Sequence, residues 1–467
     1  MTAPFDLAIR GGTVVTDTDV RRLDVGVRGS RIAAVGEHIG PATRDLDASG
    51  RFVMPGGIDA HCHIDQRSSS GLMTADDFYT GGVSAACGGT TTILPFAAQH
   101  RGQRLRDVVT DYRRRAEERA FVDYGFHLIV SDPSEAVLRE DLPELVAQGC
   151  PSLKVYLTYE ALKLTDRQLL DVYDAASALG AIVLVHAENH EAVAWQTRRL
   201  VAAGKTEPRH HPASRPALAE GEATHRAIAL AGLAGAAVFI VHVSCREALA
   251  PIVEAKSQRR RVWAETCPHY LVLAAADMDR PGFEMAKFVC SPPLRTAADQ
   301  AALWQALAAG DLDLVASDHA PYRLHDVSGK LAHGPEAPFT AIPNGMPGLE
   351  LRLPLLYSEG VAKGRLTLSR FVALASSNPA RLYGMFPRKG AIAVGSDADL
   401  VVWDPDREAV VRQASLHDAM DYTPFEGMRL KGWPACTVSR GEIVWDGESV
   451  HGEAGRGRFV PRAPLEA

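Results

Sequence analysis

The stretch GGIDAHCHID (56–65) sets His61, Cys62 and His63 side by side. Imidazole and thiolate are both ligands for divalent metals of intermediate softness. Three in a row admit a zinc-finger fragment, a pair of hydrogen-bonded core histidines, or half of a catalytic metal site. The apolar positions around them read as a β-strand, and side chains two apart on a strand share a face. His61 and His63 therefore point one way and Cys62 the other. Such a pair can chelate one ion, and it also arises incidentally in core strands; alone it does not decide.

Other polar side chains recur in the same setting. Lys154 in PSLKVYLTY, His186 in AIVLVHAE, His242 in AVFIVHVS and Asp318 in LDLVASDHA each interrupt an apolar run, mostly near its C-terminal end. With the first pair, five separate strands contribute. Polar groups in such places are costly unless paired or bound to metal. Lys154 has two readings. A lysine in a core strand is ordinarily ion-paired or reaches along its stem to solvent. An ammonium beside metal ions is repelled by them, whereas a carbamate formed from its amine and carbon dioxide is an anionic ligand able to bridge two ions. Two divalent ions about 3.5–4 Å apart can share a hydroxide that is nucleophilic near neutral pH.

The elements that must position these groups are legible as eight apolar runs: 57–64, 90–96, 123–130, 151–159, 181–188, 237–244, 261–271 and 312–320. They alternate with helical stretches such as 165–180, which Thr165 or Asp166 can start and Gly180 can stop. Buried runs with helical crossovers predict a (β/α)8 TIM-like barrel, whose C-terminal strand ends converge on one face. Both chain ends differ in texture, with short alternating strands and glycine turns in FDLAIRGGTVVT and again in KGAIAVGSDADLVVWDP. The predicted organisation is a barrel over 56–385 and one small β-sandwich domain assembled from 1–55 and 386–467, the latter including a tail.

Composition narrows the function classes. Of 467 residues, 46% are hydrophobic and 23% charged, a globular balance, and the net charge of −7 argues against a general affinity for nucleic acid. RRRAEER (113–119) reads as a solvated helix face and QRRR (258–261) as a turn. Seven cysteines (62, 87, 150, 245, 267, 290 and 436) form no C-x-x-C pair, which predicts reduced thiols in a cytoplasmic enzyme. No signal peptide is visible at the N-terminus. The uncharged run 227–245 changes texture at Gly235 and reads as a buried helix followed by a buried strand, so no membrane partner is expected.

With these residues in place, the sequence resembles the cyclic amidohydrolases of the hydantoinase and dihydropyrimidinase family. The resemblance covers essentially the whole chain, through MPGGIDAHCHID, GGTTT, SLKVYLTY, VLVHAEN, FIVHVS, AETCPHYL, SPPLR, SDHAP, AIPNGMPGLE and NPARLYG. It implies a binuclear centre, usually zinc, with manganese or cobalt compatible with the ligands. His61, His63 and Asp318 would hold one ion, His186 and His242 the other, and Lys154, carboxylated by carbon dioxide, would bridge them. It further implies that a hydroxide between the metals opens a cyclic ureide to an N-carbamoyl amino acid. Asp318 would act as general base and acid, Tyr159 would hydrogen-bond the developing oxyanion, and the backbone at Ser291 and Asn344 would hold the –NH–CO–NH– unit. A small-molecule ureide is then the partner, and a homotetramer the assembly the resemblance carries.

Departures from the family pattern fall at Cys62, Leu153 and the loop 65–73, none of them a ligand. They bear on the substrate, whose ring substituent is expected to meet Leu72, Met73, Tyr156 and the segment 160–164. His319 is placed to support Asp318. His127 and His269 receive no ligand role, His190, His210 and His211 read as loop or helix-start residues, and Cys267 reads as a small buried side chain. A neighbouring allantoinase- or dihydroorotase-like amidase is the alternative enzyme, although a dihydroorotase needs a cation for its substrate carboxylate. A non-catalytic scaffold of the same fold is disfavoured by the completeness of the six ligands.

Overall fold

The computed structural model describes residues 4–465. Its centre is a parallel barrel. The strands run Gly57–Cys62, Thr90–Ala98, Asp123–Tyr124 with His127–Ile129, Ser152–Tyr156, Ile182–His186, Ala237–Ile240, Val262–Thr266 and Leu314–Val315, each paired to the next. The third is one strand interrupted at Gly125–Phe126. A parallel bridge between Cys62 and His319 closes the ring, reinforced by the His63 N–H donating to the His319 carbonyl at 2.7 Å. Nearly every strand residue is buried, as a sheet covered by helices on one side and filled on the other requires.

Local signals account for several boundaries. The helix Asp166–Ala178 starts at Thr165, whose hydroxyl accepts from the Gln168 N–H while the Gln168 side chain accepts from the Thr165 N–H. The helix Ala217–Ala234 ends at Gly235, which takes the left-handed φ of 65° before the strand Ala237–Ile240. Residues 227–245 are thus a helix end and a strand, and no described helix is long and apolar enough to cross a membrane. One run differs from expectation: 261–271 is a strand only to Thr266, after which Pro268–Val272 is helical. Pro268 has no N–H to continue a ladder and suits the first turn of a helix.

The chain ends form two further sheets. One holds Arg31–Gly36, Asp24–Arg28, Phe5–Arg10 and Ala42–Asp47 in spatial order; the other holds Glu442–Trp445, Arg429–Ser439, Leu400–Val410, Phe52–Pro55, Thr13–Val15 and Val20–Arg22. The second interleaves both ends, since Phe52–Pro55 pairs antiparallel with Leu400–Val410. Leu7, Ile9, Val25, Val53, Leu400 and Val438 form a core of their own, separate from that of the barrel. The buried Lys389 ammonium sits among the carboxylates of Asp123, Asp397 and Asp399, and so ties a barrel strand to the β layer. Beyond it the chain returns to the barrel: the N–H groups of Gly457, Val460 and Leu465 donate to the carbonyls of Ala120, Tyr124 and Gly180.

Candidate metal centre

The barrel brings all six predicted ligands to the face where its strands end. His61 closes its strand next to Cys62, and the parity expectation holds: His61 and His63 line a cavity of about 640 Å³, while the wholly buried Cys62 does not line it. Asp318 Oδ1 lies 3.1 Å from His61 Nε2 and 3.3 Å from His63 Nε2. Ligand atoms of these three residues all fall within 4.8 Å of one another. A second group adjoins them: His186 Nδ1 and His242 Nε2 face each other at 2.9 Å. The rings of His61 and His242 are 5.4 Å apart, centroid to centroid, so the two groups share one space.

Lys154 stands between strands in that space. Its Nζ is buried without a hydrogen-bond partner and lies 5.2 Å and 5.1 Å from the ring centroids of Phe96 and Tyr156. The ion-paired reading of this lysine is therefore not what the fold provides. Burial pulls its pKa down to about 7, against the opposing pull of Glu265 and Asp318. An amine at that poise is substantially neutral at physiological pH and nucleophilic toward carbon dioxide. A buried amine with no partner is costly.

The remaining nitrogens show how the histidines are oriented. His61 Nδ1 pairs with Glu265, His63 Nδ1 with Gln66 Oε1 at 2.8 Å, and His186 Nε2 with Glu188 Oε2 at 2.7 Å. Each acceptor takes the ring N–H and leaves the opposite nitrogen, with its lone pair, aimed into the cluster, the arrangement by which metal-binding imidazoles are held. Glu188 is in turn bound by Arg215 Nη1 at 2.6 Å; burial opposes its ionisation, but Arg215 and His186 bring its pKa down to about 2. Burial likewise opposes ionisation of Asp318, and the histidines around it hold its carboxyl well below the usual carboxylate range. Four imidazole nitrogens, a carboxylate oxygen and an unpartnered amine form a donor set that fits a pair of borderline divalent ions.

Tyr159, His242 and Asp318 all have positive φ, at 67°, 41° and 46°. Non-glycine residues rarely adopt this region, and strain of this kind collects where the surrounding structure holds a side chain in a functional orientation. Tyr159 lies over the site with its ring centroid 5.4 Å from that of His186 and 5.2 Å from the Arg215 guanidinium carbon. Burial raises its hydroxyl pKa, and Arg215 opposes the rise. Ser291 and Asn344 line the same cavity and approach the Tyr159 hydroxyl without completing a hydrogen bond.

Among the expected pocket residues, Leu72, Tyr156 and Leu162 line this cavity. Met73 faces instead a neighbouring depression behind the same loop, with Arg104 and Arg115. The basic helix face also does more than meet solvent: Arg115 binds the carbonyl of Asp65 at 2.6 Å and its carboxylate at 2.7 Å, anchoring the loop that follows His63. His127 is a satisfied core residue, bound to Ser152 Oγ and the Ala60 carbonyl. His269 is buried beside Tyr270, and the His211 Nε2–H donates to the Cys290 carbonyl at 2.7 Å. His319 Nδ1 accepts from the Gly348 N–H, so its Nε2–H donates to Asp76 at 3.0 Å, which fixes the backbone next to Asp318. Glu188, Glu265, Gln66 and Arg215 were not among the residues sequence reasoning selected. All seven cysteines are buried and unpaired.

The family model for amidohydrolases matches residues 52–444. The chain is 44% identical to the D-hydantoinase of Ralstonia pickettii over 461 residues, covering 98% of this chain and 99% of that one. The structure of D-hydantoinase from Bacillus sp. AR9 superposes with a TM-score of 0.95 at 43% identity, covering 99% of this chain and 100% of the other. The dihydropyrimidinase from Brevibacillus agri NCHU1002 gives a TM-score of 0.95 at 43% identity, covering 98% of this chain and 99% of the other.

Proposed function

The chain belongs to the amidohydrolase family, in its hydantoinase and dihydropyrimidinase branch, and from that premise we propose how its cavity opens a cyclic ureide by hydrolysis to an N-carbamoyl amino acid. His61, His63 and Asp318 would hold one divalent ion, His186 and His242 a second, and the carbamate of Lys154 would join them. Two ions so held would lower the proton affinity of a water molecule between them and polarise the ring carbonyl. The observation that carries this reading is the unpartnered Lys154 amine set between two groups of correctly oriented metal ligands.

The chain's own residues supply the rest. Asp318, held ionised by its histidine neighbours, takes the proton of the attacking water and delivers it to the ring nitrogen as the C–N bond breaks. Tyr159 donates its O–H to the carbonyl oxygen as charge develops there; its strained backbone and the Arg215–Glu188 pair hold the phenol over the site. The backbone at Ser291 and Asn344 receives the –NH–CO–NH– edge of the ring. Zinc as the metal and a homotetramer come from the family resemblance, and a cytoplasmic enzyme from the seven unpaired cysteines.

The described lining of the cavity has no arginine, and its one lysine is Lys154. A substrate bearing a carboxylate, as a dihydroorotase requires, would find no free cation there, which favours a neutral ureide ring. The test is a panel of dihydrouracil, hydantoin, 5-alkyl and 5-aryl hydantoins, allantoin and dihydroorotate, with chiral separation of products and metal quantification on the same preparation. Hydrolysis of the neutral ureides with about two equivalents of metal per chain is expected; exclusive turnover of dihydroorotate or allantoin would reject the assignment.

Leu72 and Leu162 line the cavity with apolar surface, which suits them to meet a substituent on the ring. Shortening Leu72 to alanine is expected to change the ratio of kcat/KM between 5-aryl and unsubstituted hydantoin by about tenfold, the scale of a few methylene contacts. An unchanged ratio would remove Leu72 from the substituent pocket.

A further inference from the structure

Lys330 is wholly buried, and among the described residues its side-chain partners are two backbone carbonyls, with no carboxylate paired to it. Its Nζ lies 3.1 Å from the Val289 carbonyl oxygen and 3.0 Å from that of Pro343. Those carbonyls belong to the two chain segments that lead into Ser291 and Asn344. The Val289 carbonyl also accepts from the Gly345 N–H at 3.0 Å, and the Ala320 N–H donates to the Met346 carbonyl at 3.0 Å, two residues beyond Asp318. Gly345 has φ of 144°, and a Cβ there would lie 2.6 Å from the Ala320 carbonyl oxygen, so Gly345 packs directly against the backbone of Ala320. The lysine is itself anchored: its N–H donates to the Arg323 carbonyl at 2.8 Å, and the N–H groups of Leu324 and His325 donate to the Asp421 carboxylate at 2.7 Å and 2.8 Å.

A buried cation with no counter-ion is expensive, and burial draws the Lys330 pKa down to about 7. The expense has a structural return only if the two carbonyls need a common donor. A neutral amine still has two N–H bonds, one for each carbonyl, so the link does not depend on the protonation state.

We propose that Lys330 is a positioning residue that joins the 289–291 and 343–345 segments into one rigid shelf for the ureide ring and so sets substrate affinity without touching substrate. The proposal rests on the reading that Ser291 and Asn344 hold the ring. Lys330→Met keeps the length and apolar stem of the side chain and removes the donor; Lys330→Gln restores an N–H donor. In the metal-loaded enzyme, Lys330→Met should raise KM for hydantoin by about tenfold or more, the scale of two unmade buried hydrogen bonds. It should leave kcat within about threefold and metal content unchanged. Lys330→Gln should recover part of the lost affinity. Backbone hydrogen exchange at 289–291 and 344–346 should be faster in Lys330→Met, and in the wild type it should slow when N-carbamoylglycine is added.

An unchanged KM and unchanged exchange in Lys330→Met, with wild-type protection by N-carbamoylglycine intact, would overturn the clamp and leave the ring-binding reading standing. Absence of that wild-type protection would overturn the ring-binding reading, and the clamp with it. A joint fall of kcat and metal content, or failure of both variants to fold as judged by circular dichroism, would also overturn the proposal, since Lys330 would then support the barrel as a whole.

Discussion

Lys154→Ala is expected to lower kcat/KM by about 10³-fold or more, the scale of losing several kcal/mol of charge stabilisation at the reacting carbonyl. Metal bound per chain should fall with it, because the proposed bridging ligand goes while His61, His63, His186 and His242 stay. The physical ground is the setting of the side chain. Its amine is buried, unpartnered and depressed to about pKa 7, between two groups of ligands that do not otherwise share a donor. A structural lysine would show the reverse pattern, an ion pair whose loss destabilises the fold. Alanine leaves a space the size of the missing stem, so acetate or propionate can enter and place a carboxylate where the proposed carbamate would stand. Partial recovery of activity with such acids, saturating with concentration, is the expected result. A Lys154→Ala enzyme with full activity and full metal content would sink the two-metal reading.

The candidate ligands were legible as a group in the sequence because each breaks an apolar strand near its end, and a closed barrel has only one place to which such ends converge. The same signal marks Glu265, an acid in the buried strand Val262–Thr266, and Glu188, two residues beyond His186. It went unused because both fall just outside the positions a metal-ligand pattern selects. Arg215 carries no local signal. It lies in a short connection after the helix His211–Ser214, and only tertiary packing brings it against Glu188 and Tyr159. The strand 312–320 illustrates a second limit. Regular pairing holds only Leu314–Val315, and the chain then kinks through the positive φ of Asp318 before His319 closes the barrel against Cys62. Strand periodicity marks the element, but it carries no information about a bend that only the first and last strands together can hold. The loop faces are the least legible part: Met73 and Leu72 are neighbours in sequence and face different cavities.

Asp318→Asn separates proton transfer from metal binding. Asparagine preserves the shape of the side chain and can still offer an oxygen at the position 3.1 Å from His61 Nε2 and 3.3 Å from His63 Nε2. It cannot accept a proton. If Asp318 carries the proton from water to the ring nitrogen, kcat should fall by about 10²–10⁴-fold, the range of a lost general acid–base group, and more where metal occupancy also drops. Metal quantification on the same sample distinguishes the two contributions. The leaving group offers an independent reading. Ring nitrogens of low basicity leave without protonation, so the loss should be smallest for the ureide whose departing nitrogen is the weakest base. If the deficit is the same across such a series and follows metal content alone, Asp318 is a ligand and the proton travels by another group. His63 is the other group in reach, but burial disfavours its protonated form and its Nδ1–H is committed to Gln66, so it holds a proton poorly.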